Sequence, residues 1–213
     1  MTDKAADSGQ RLGVVYVVDD DDAVRDSVQW LLEASRYTVI GFDSAEKFLA
    51  NHDPAAIAVA IFDVRMPGMS GLELQEQLAA RKSQLPIIFI TGHGDVPMAV
   101  STMKKGAVDF IEKPFDQAAL KALVERMLAE TRERASATER QRLNEALLSK
   151  LTPREQQVLE RIVAGRLNKQ IADDLGISIK TVEAHRANIM DKMNANTVAD
   201  LMRAVMAGGA LRK

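Results

Sequence analysis

The chain has 213 residues, no cysteine, 46% hydrophobic and 27% charged side chains, and a formal net charge of −2. This suits one large or two modest globular domains; disulfides and thiolate metal sites are excluded, and no run reaches the roughly 18 apolar residues of a membrane span. The charge is uneven: residues 1–149 carry 17 Lys+Arg against 23 Asp+Glu, and residues 150–213 carry 11 against 7, so only the second part suits a polyanionic partner.

Residues 1–12 are polar and lack an apolar signal core, so they read as a disordered tail of a cytoplasmic protein. Residues 14–18, Val-Val-Tyr-Val-Val, form a continuous apolar run before four aspartates, the pattern of a parallel strand buried on both faces. Val24, Val28, Leu31 and Leu32 mark a helix over 22–35. Strands are predicted at Val39–Phe42, Ile57–Phe62, Ile87–Ile90 and Val108–Ile111. Helices are predicted from Ala45, around Leu72–Leu78, at Met98–Met103 and from Asp116 onward. Alternating strands and helices give an α/β doubly wound, five-stranded parallel sheet. Thr131–Arg142 is charged or small without helix breakers, so a long linker helix is predicted there. After Lys150 the strand signals end. Short helical segments separated by Gly165, Gly176 and Asn194–Asn196 predict a small all-α domain.

Chemistry-bearing residues stand at the strand ends. Asp19 and Asp20 follow the first strand, Asp63 the third, Thr91 the fourth and Lys113 the fifth. In a doubly wound sheet these ends share one rim, where ligands bind. Taken singly, an aspartate after a strand caps a helix and a Lys-Pro is a loop. Five suitable residues at separate strand ends are hard to assign to chance. Clustered carboxylates call for a cation, and oxygen ligands suit Mg²⁺, which often bridges to phosphate. A lysine and a hydroxyl beside them suit an incoming phosphoryl group.

Residues 13–128 resemble a receiver domain of the flavodoxin-like type. The carriers are Val-Asp-Asp at 18–20, Asp-Val-Arg-Met-Pro-Gly-Met-Ser-Gly at 63–71, Thr-Gly-His-Gly-Asp at 91–95 and Glu-Lys-Pro-Phe at 112–115. The resemblance implies that Asp63 is the phospho-acceptor and that Asp19, Asp20, Asp63 and the backbone carbonyl of Arg65 hold Mg²⁺. It implies that Thr91 bonds the phosphoryl oxygen, that Lys113 pairs with it, and that Thr91 and Phe110 form the switch. The Lys113–Pro114 bond is typically cis in that family. Asp21 and Asp22 receive no metal role, and Asp22 suits a cap of the first helix.

Thr152-Pro153-Arg154-Glu155 reads as a capping box with proline at the first helical position. Helices are predicted at Gln156–Val163, at Lys169–Asp174 with Asn168 as cap, from Ser178 to about Met193, and at Val198–Met206. A glycine turn between the second and third makes a helix-turn-helix. On the third, Val182, Ile189 and Met193 face inward, while Lys180, Glu183, Ala184, Ala187 and Asn188 face outward. Lys180, Arg186 and Lys192 are placed to meet phosphates. On pattern alone, a helical interaction module with a solvated polar face is an equal reading. Residues 150–206 resemble the LuxR/NarL-type DNA-binding domain, through Leu-Thr-Pro-Arg-Glu at 151–155, Val163-Ala164-Gly165, Asn168-Lys169-Gln170-Ile171-Ala172 and Thr181-Val182-Glu183-Ala184-His185. That resemblance implies DNA contacts from Lys169, Lys180, Thr181, Glu183, Ala184, His185, Arg186, Ala187, Asn188 and Lys192.

Together the chain resembles a two-component response regulator of the FixJ/NarL family, most closely its FixJ branch. The implied organisation is a tail at 1–12, a receiver at 13–128, a helical linker at 129–149 and a helix-turn-helix domain at 150–213. The implied partners are a sensor histidine kinase, pseudo-palindromic promoter DNA, a second copy of the chain on phosphorylation and RNA polymerase, with no membrane. Pairing is expected through the fourth helix and fifth strand, Val96–Ile111, where Lys104 and Lys105 could meet Asp109 and Glu112. Two rivals are a Mg²⁺-dependent hydrolase and a DNA-binding protein with a vestigial receiver. The absence of a further catalytic acid beside Asp63 and the complete pocket argue against them, and no enzyme is expected.

Overall fold

The computed structural model describes residues 12–33, 37–92 and 109–207, in two compact units divided between Glu133 and Arg134. In the first unit β1 (Val14–Val18), β2 (Thr38–Phe42), β3 (Ala58–Asp63), β4 (Ile87–Thr91) and β5 (Asp109–Glu112) form one sheet. All pairs are parallel and the order is β2-β1-β3-β4-β5. The order reverses between β1 and β3, which opens a crevice at their carboxyl ends.

The side-chain alternation of a strand divides the core in two. Val15, Val17, Val59, Ile61, Ile88 and Ile90 pack on one face, with Val28 and Leu32 of α1 (Asp22–Glu33) and Leu120, Val124 and Met127 of α4 (Gln117–Leu148). Tyr16, Val18, Ala60, Phe62 and Phe89 pack on the other, with Phe48 of α2 (Ala45–Asn51) and Leu74 and Leu78 of α3 (Gly71–Ala80). Burial on both faces is why these strands read as continuous apolar runs.

Three strands end one residue later than the apolar pattern predicted: β5 ends at Glu112, and Asp63 and Thr91 end β3 and β4 rather than follow them. The helix predicted at Met98–Met103, together with Lys104 and Lys105, lies outside the described residues. The first helix is capped by Asp21 rather than Asp22. Asp21 Oδ1 accepts the Ala23 N–H at 2.8 Å, and Asp22 is already helical. The long helix is present as α4, which begins after Asp116, whose Oδ1 accepts the Ala118 N–H at 2.8 Å. Residues 133–143 of α4 are exposed, consistent with their charged sequence.

The second unit packs α5 (Pro153–Val163), α6 (Asn168–Leu175), α7 (Ile179–Lys192) and α8 (Val198–Ala207) around Val158, Ile171, Val182, Ile189, Leu201 and Val205. The capping box of α5 forms as expected: Thr152 Oγ1 accepts the Glu155 N–H, and Glu155 Oε2 accepts the Thr152 N–H. Gly176 ends α6 at φ +64°, the left-handed conformation that glycine adopts without steric cost. Ser178 caps α7 by accepting the Thr181 N–H at 3.1 Å. In this unit one cap differs from expectation. Asn168 is the first residue of α6, and Leu167 holds the cap position. Leucine has no oxygen to offer, so the helix start is tied only from the other side, by Gln170 Oε1 accepting the Leu167 N–H at 2.9 Å.

Candidate functional site

The sheet order brings the expected pocket residues together. Asp19 directly follows β1, Asp63 ends β3, Thr91 ends β4 and Lys113 follows β5. Asp19, Asp63 and Thr91 are buried; Asp20 is exposed. Lys113 Nζ donates to Asp19 Oδ2 at 2.8 Å and lies 3.0 Å from Asp63 Oδ1. The backbone fixes this lysine next to Thr91, because the Lys113 N–H donates to the Thr91 carbonyl at 2.7 Å. The Lys113–Pro114 bond is cis. Thr91 Oγ1 donates to the Gly92 carbonyl at 3.2 Å. Asp63 Oδ2 accepts the Arg65 N–H at 3.2 Å, and Asp19 Oδ1 accepts the Asp21 N–H at 2.9 Å.

One oxygen from each of Asp19, Asp20 and Asp63 lies within 4.8 Å of the others. Burial pushes the Asp63 carboxyl up, Lys113 pulls it back and the Asp19 charge adds to the rise, with a net upward shift. For Lys113 burial opposes the charge, but the hydrogen bonds to Asp19 and Asp63 outweigh it and raise the ammonium above its usual range. Three carboxylates against one ammonium leave two negative charges, which a divalent cation balances. The donors are all oxygen, as Mg²⁺ requires, so the residues fit that ion.

Phe110 is half-buried and stacks on Phe89, with centroids 5.2 Å apart and planes at 29°. The two rings are register partners on β5 and β4. Two pocket-shaping residues were not singled out from sequence. Arg25 reaches from α1 to the Asp19 carbonyl and to Asp22. Gly71 opens α3 so close to β3 that a Cβ there would stand 2.1 Å from the Asp63 carbonyl oxygen. Gly71 was visible within the quoted motif, and the Ser70-x-x-Glu73 capping box marks the helix start; the close approach had no sequence signal.

In the second unit, Lys180, Thr181, Glu183, Ala184, Ala187 and Asn188 on α7 are exposed, as is Lys169 on α6; His185 and Arg186 are half-buried. Lys192, expected to meet a phosphate, is half-buried and makes a contact within the domain. Its Nζ lies 2.7 Å from Oε2 of Glu155, a carboxylate that is 3% exposed. Its charge is therefore engaged inside the domain, because a buried carboxylate demands a partner. The hydrogen bond from Lys192, then that from the Thr152 N–H, lowers the Glu155 carboxyl from 4.5 to about 2. A carboxyl depressed in the folded state stabilises it above the unfolded pKa, and the contribution is lost as pH falls from about 4.5 toward 2. Amide exchange of α7 in the full chain is expected to quicken across that window, and Glu155→Gln to flatten the change. An equal pH dependence in both proteins refutes this.

Two family models match the chain. The response regulator receiver domain matches residues 15–125, and the luxR family of bacterial regulatory proteins matches residues 149–205. The chain belongs to the response regulators that join a receiver domain to a luxR-family DNA-binding domain. It is 43% identical to the transcriptional regulatory protein FixJ of Bradyrhizobium diazoefficiens, over 93% of this chain and 97% of that one. It is 47% identical to FixJ of Azorhizobium caulinodans, over 92% of each chain. The solved structure of the response regulator StyR matches with a TM-score of 0.81 at 48% identity, covering 91% of this chain and 98% of that one. The protein is thus a phosphorylation-controlled transcriptional regulator, and its domains imply a kinase partner and DNA. Among the described residues no helix is long and apolar enough to cross a membrane.

Proposed function

We propose that Asp63 receives the phosphoryl group, in a receiver spanning 13–128 that is joined by a linker at 129–149 to a DNA-binding domain at 150–213. The observation that carries this is Lys113 Nζ bridging Asp19 and Asp63 at the rim where β1, β3, β4 and β5 end. A carboxylate oxygen of Asp63 attacks phosphorus in line. The bond from phosphorus to a kinase histidine nitrogen, or to the acetate oxygen of acetyl phosphate, breaks as the acyl phosphate forms. Asp19, Asp20, Asp63 and the Arg65 carbonyl would hold Mg²⁺, which supplies charge neutralisation for the transferring group when bound. Lys113 then exchanges its bond to Asp63 for one to a phosphoryl oxygen, and Thr91 Oγ1 donates to another. The movement of Thr91 and the packing of Phe110 against Phe89 couple the pocket to β5, part of the pairing face expected from sequence at 96–111, of which 96–108 lie outside the described residues.

On this reading the phosphorylated protein pairs through that face, in the cytoplasm. Two copies of α7 then meet a pseudo-palindromic promoter site and leave the protein beside RNA polymerase. One small domain touches few base edges; two tied copies bind with a raised effective concentration. Acetyl phosphate with Mg²⁺ is expected to convert monomer to dimer in sedimentation and to raise affinity for a two-half-site duplex at least ~100-fold, with little change on one half-site. A phosphorylated monomer that binds the full site tightly sinks the pairing step. Equal affinity with and without the donor sinks phosphorylation control through Asp63.

A further inference from the structure

The second unit contains, among its described residues, one buried charged side chain, Glu155. Its Oε2 takes two donors from different elements: the Thr152 N–H at 2.8 Å, at the cap of α5, and Lys192 Nζ at 2.7 Å, in the last residue of α7. Both helices also supply apolar residues to the shared core of the unit, Val158, Leu159 and Ile162 from α5 and Val182 and Ile189 from α7. Such packing is non-directional, so it resists separation more than it resists small rotations or slides. The polar ties of α5 to α6 are elsewhere: Arg154 donates to the Leu175 carbonyl at 2.6 Å, and Arg161 lies 3.6 Å from Asp174. Among the described residues, Glu155–Lys192 is the side-chain tie that joins α7 to another helix of the unit.

We infer that Glu155 and Lys192 form a pin that sets the orientation of α7 on the domain, and that Lys192 is a positioning residue rather than a phosphate contact. The inference rests on α7 being the helix that meets DNA. Lys180, at the outward end, precedes Lys192 by twelve residues, about 18 Å along the axis. A tilt of about 10° at the pin would displace that end by about 3 Å, enough to break a hydrogen bond to a base edge. Turning Lys192 out to a phosphate would leave the buried Glu155 charge without a counter-ion, held by the Thr152 N–H, a loss that exceeds what one exposed ionic contact returns.

The test uses the full chain, a duplex that the wild-type protein recovers from a random-sequence pool, and a scrambled duplex of equal length. Lys192→Met is expected to lower affinity for the recovered duplex about tenfold or more, to change binding of the scrambled one less than twofold, and to leave the salt slope unchanged. Lys180→Ala is expected to weaken both duplexes and to lower the salt slope by about 0.9. The Glu155→Gln/Lys192→Met double variant removes the orphaned charge. It should regain most of the thermal stability lost in Lys192→Met and still discriminate poorly between the duplexes. A salt slope that falls by about 0.9 in Lys192→Met, with both duplexes weakened, makes Lys192 a phosphate contact and overturns the pin. Selectivity that returns with stability in the double variant makes the pair merely structural and also overturns it. If Lys180→Ala changes neither affinity nor slope, α7 is not the helix that meets DNA, and the inference falls with that assignment.

Discussion

The Asp63→Asn protein is expected to take up no label from radioactive acetyl phosphate in Mg²⁺ buffer, while keeping its fold. Asp63 is the carboxylate that Lys113 holds at 3.0 Å and the Arg65 N–H at 3.2 Å, at the buried end of β3. Asparagine has nearly the same shape, so the bond from Arg65 can persist, but an amide is a poor nucleophile and forms no acyl phosphate. Asp19 is also buried and also bonded to Lys113, yet it sits on β1's side of the crevice and serves the cation on the proposed reading. Labelling that persists at the wild-type rate in Asp63→Asn, and vanishes instead in Asp19→Asn, would transfer the acceptor role to Asp19.

The same substitution should make the Mg²⁺-free protein more resistant to heat near neutral pH. The folded Asp63 carboxyl ionises above its ordinary range because of burial, with Asp19 adding to the shift. A carboxyl raised in the folded state favours folding when protonated, and that contribution is lost as pH rises from the unfolded pKa through the folded one. At pH 7 the ionised group is therefore a cost, and the neutral amide relieves it. Well below pH 4, where the carboxyl is protonated in the unfolded state as well, the melting temperatures of the two proteins should converge.

Gly71→Ala is the second expected large effect. The added Cβ would meet the Asp63 carbonyl oxygen at 2.1 Å and its carbonyl carbon at 3.1 Å. Both are backbone atoms of a central strand, so neither can swing aside as a side chain can. Gly71 also donates its N–H to the Val64 carbonyl at 3.2 Å, which ties α3 to the strand end it would have to leave. Relief requires that α3 or the end of β3 shift. We expect a loss of order 3 kcal/mol in receiver stability, at the upper end of ordinary overpacking. A displacement near 1 Å at Asp63 should also slow phosphorylation about 100-fold at temperatures where the protein is folded. Wild-type labelling in a folded Gly71→Ala protein would mean that the loop 64–70 absorbs the strain without moving Asp63.

Much of the fold was legible because its signals are local. The apolar run at 14–18 reads as a two-sided strand and that at 87–90 as a strand, and the structure buries both runs almost throughout. Thr152 and Glu155 lie within one turn, so their reciprocal cap could be read from spacing, and it forms. The charged stretch after Thr131 was read as one helix, because no residue in it breaks a helix, and it lies within α4. Small errors came where local signals compete. Asp21 and Asp22 are equally good capping residues by type, and the backbone chose Asp21. Asn168 is a better capping residue than Leu167, but Gln170 secures the helix start from the other side.

The sequence by itself determined the class of each domain, the strand-end location of the pocket residues and the outward character of α7, since these follow from periodicity and residue type. Tertiary structure alone decided which charged groups meet. Lys113 is 94 residues from Asp19 and Lys192 is 37 from Glu155, and no local pattern relates either pair. The strand order places the first pair on one rim, and the packing of α7 against α5 closes the second. The same holds for Gly71, whose need for a hydrogen in place of a Cβ arises from a strand that passes within 2.1 Å of that position. Electrostatic pairing and steric exclusion depend on distances in space, and sequence spacing specifies such distances only within an element whose geometry is already regular.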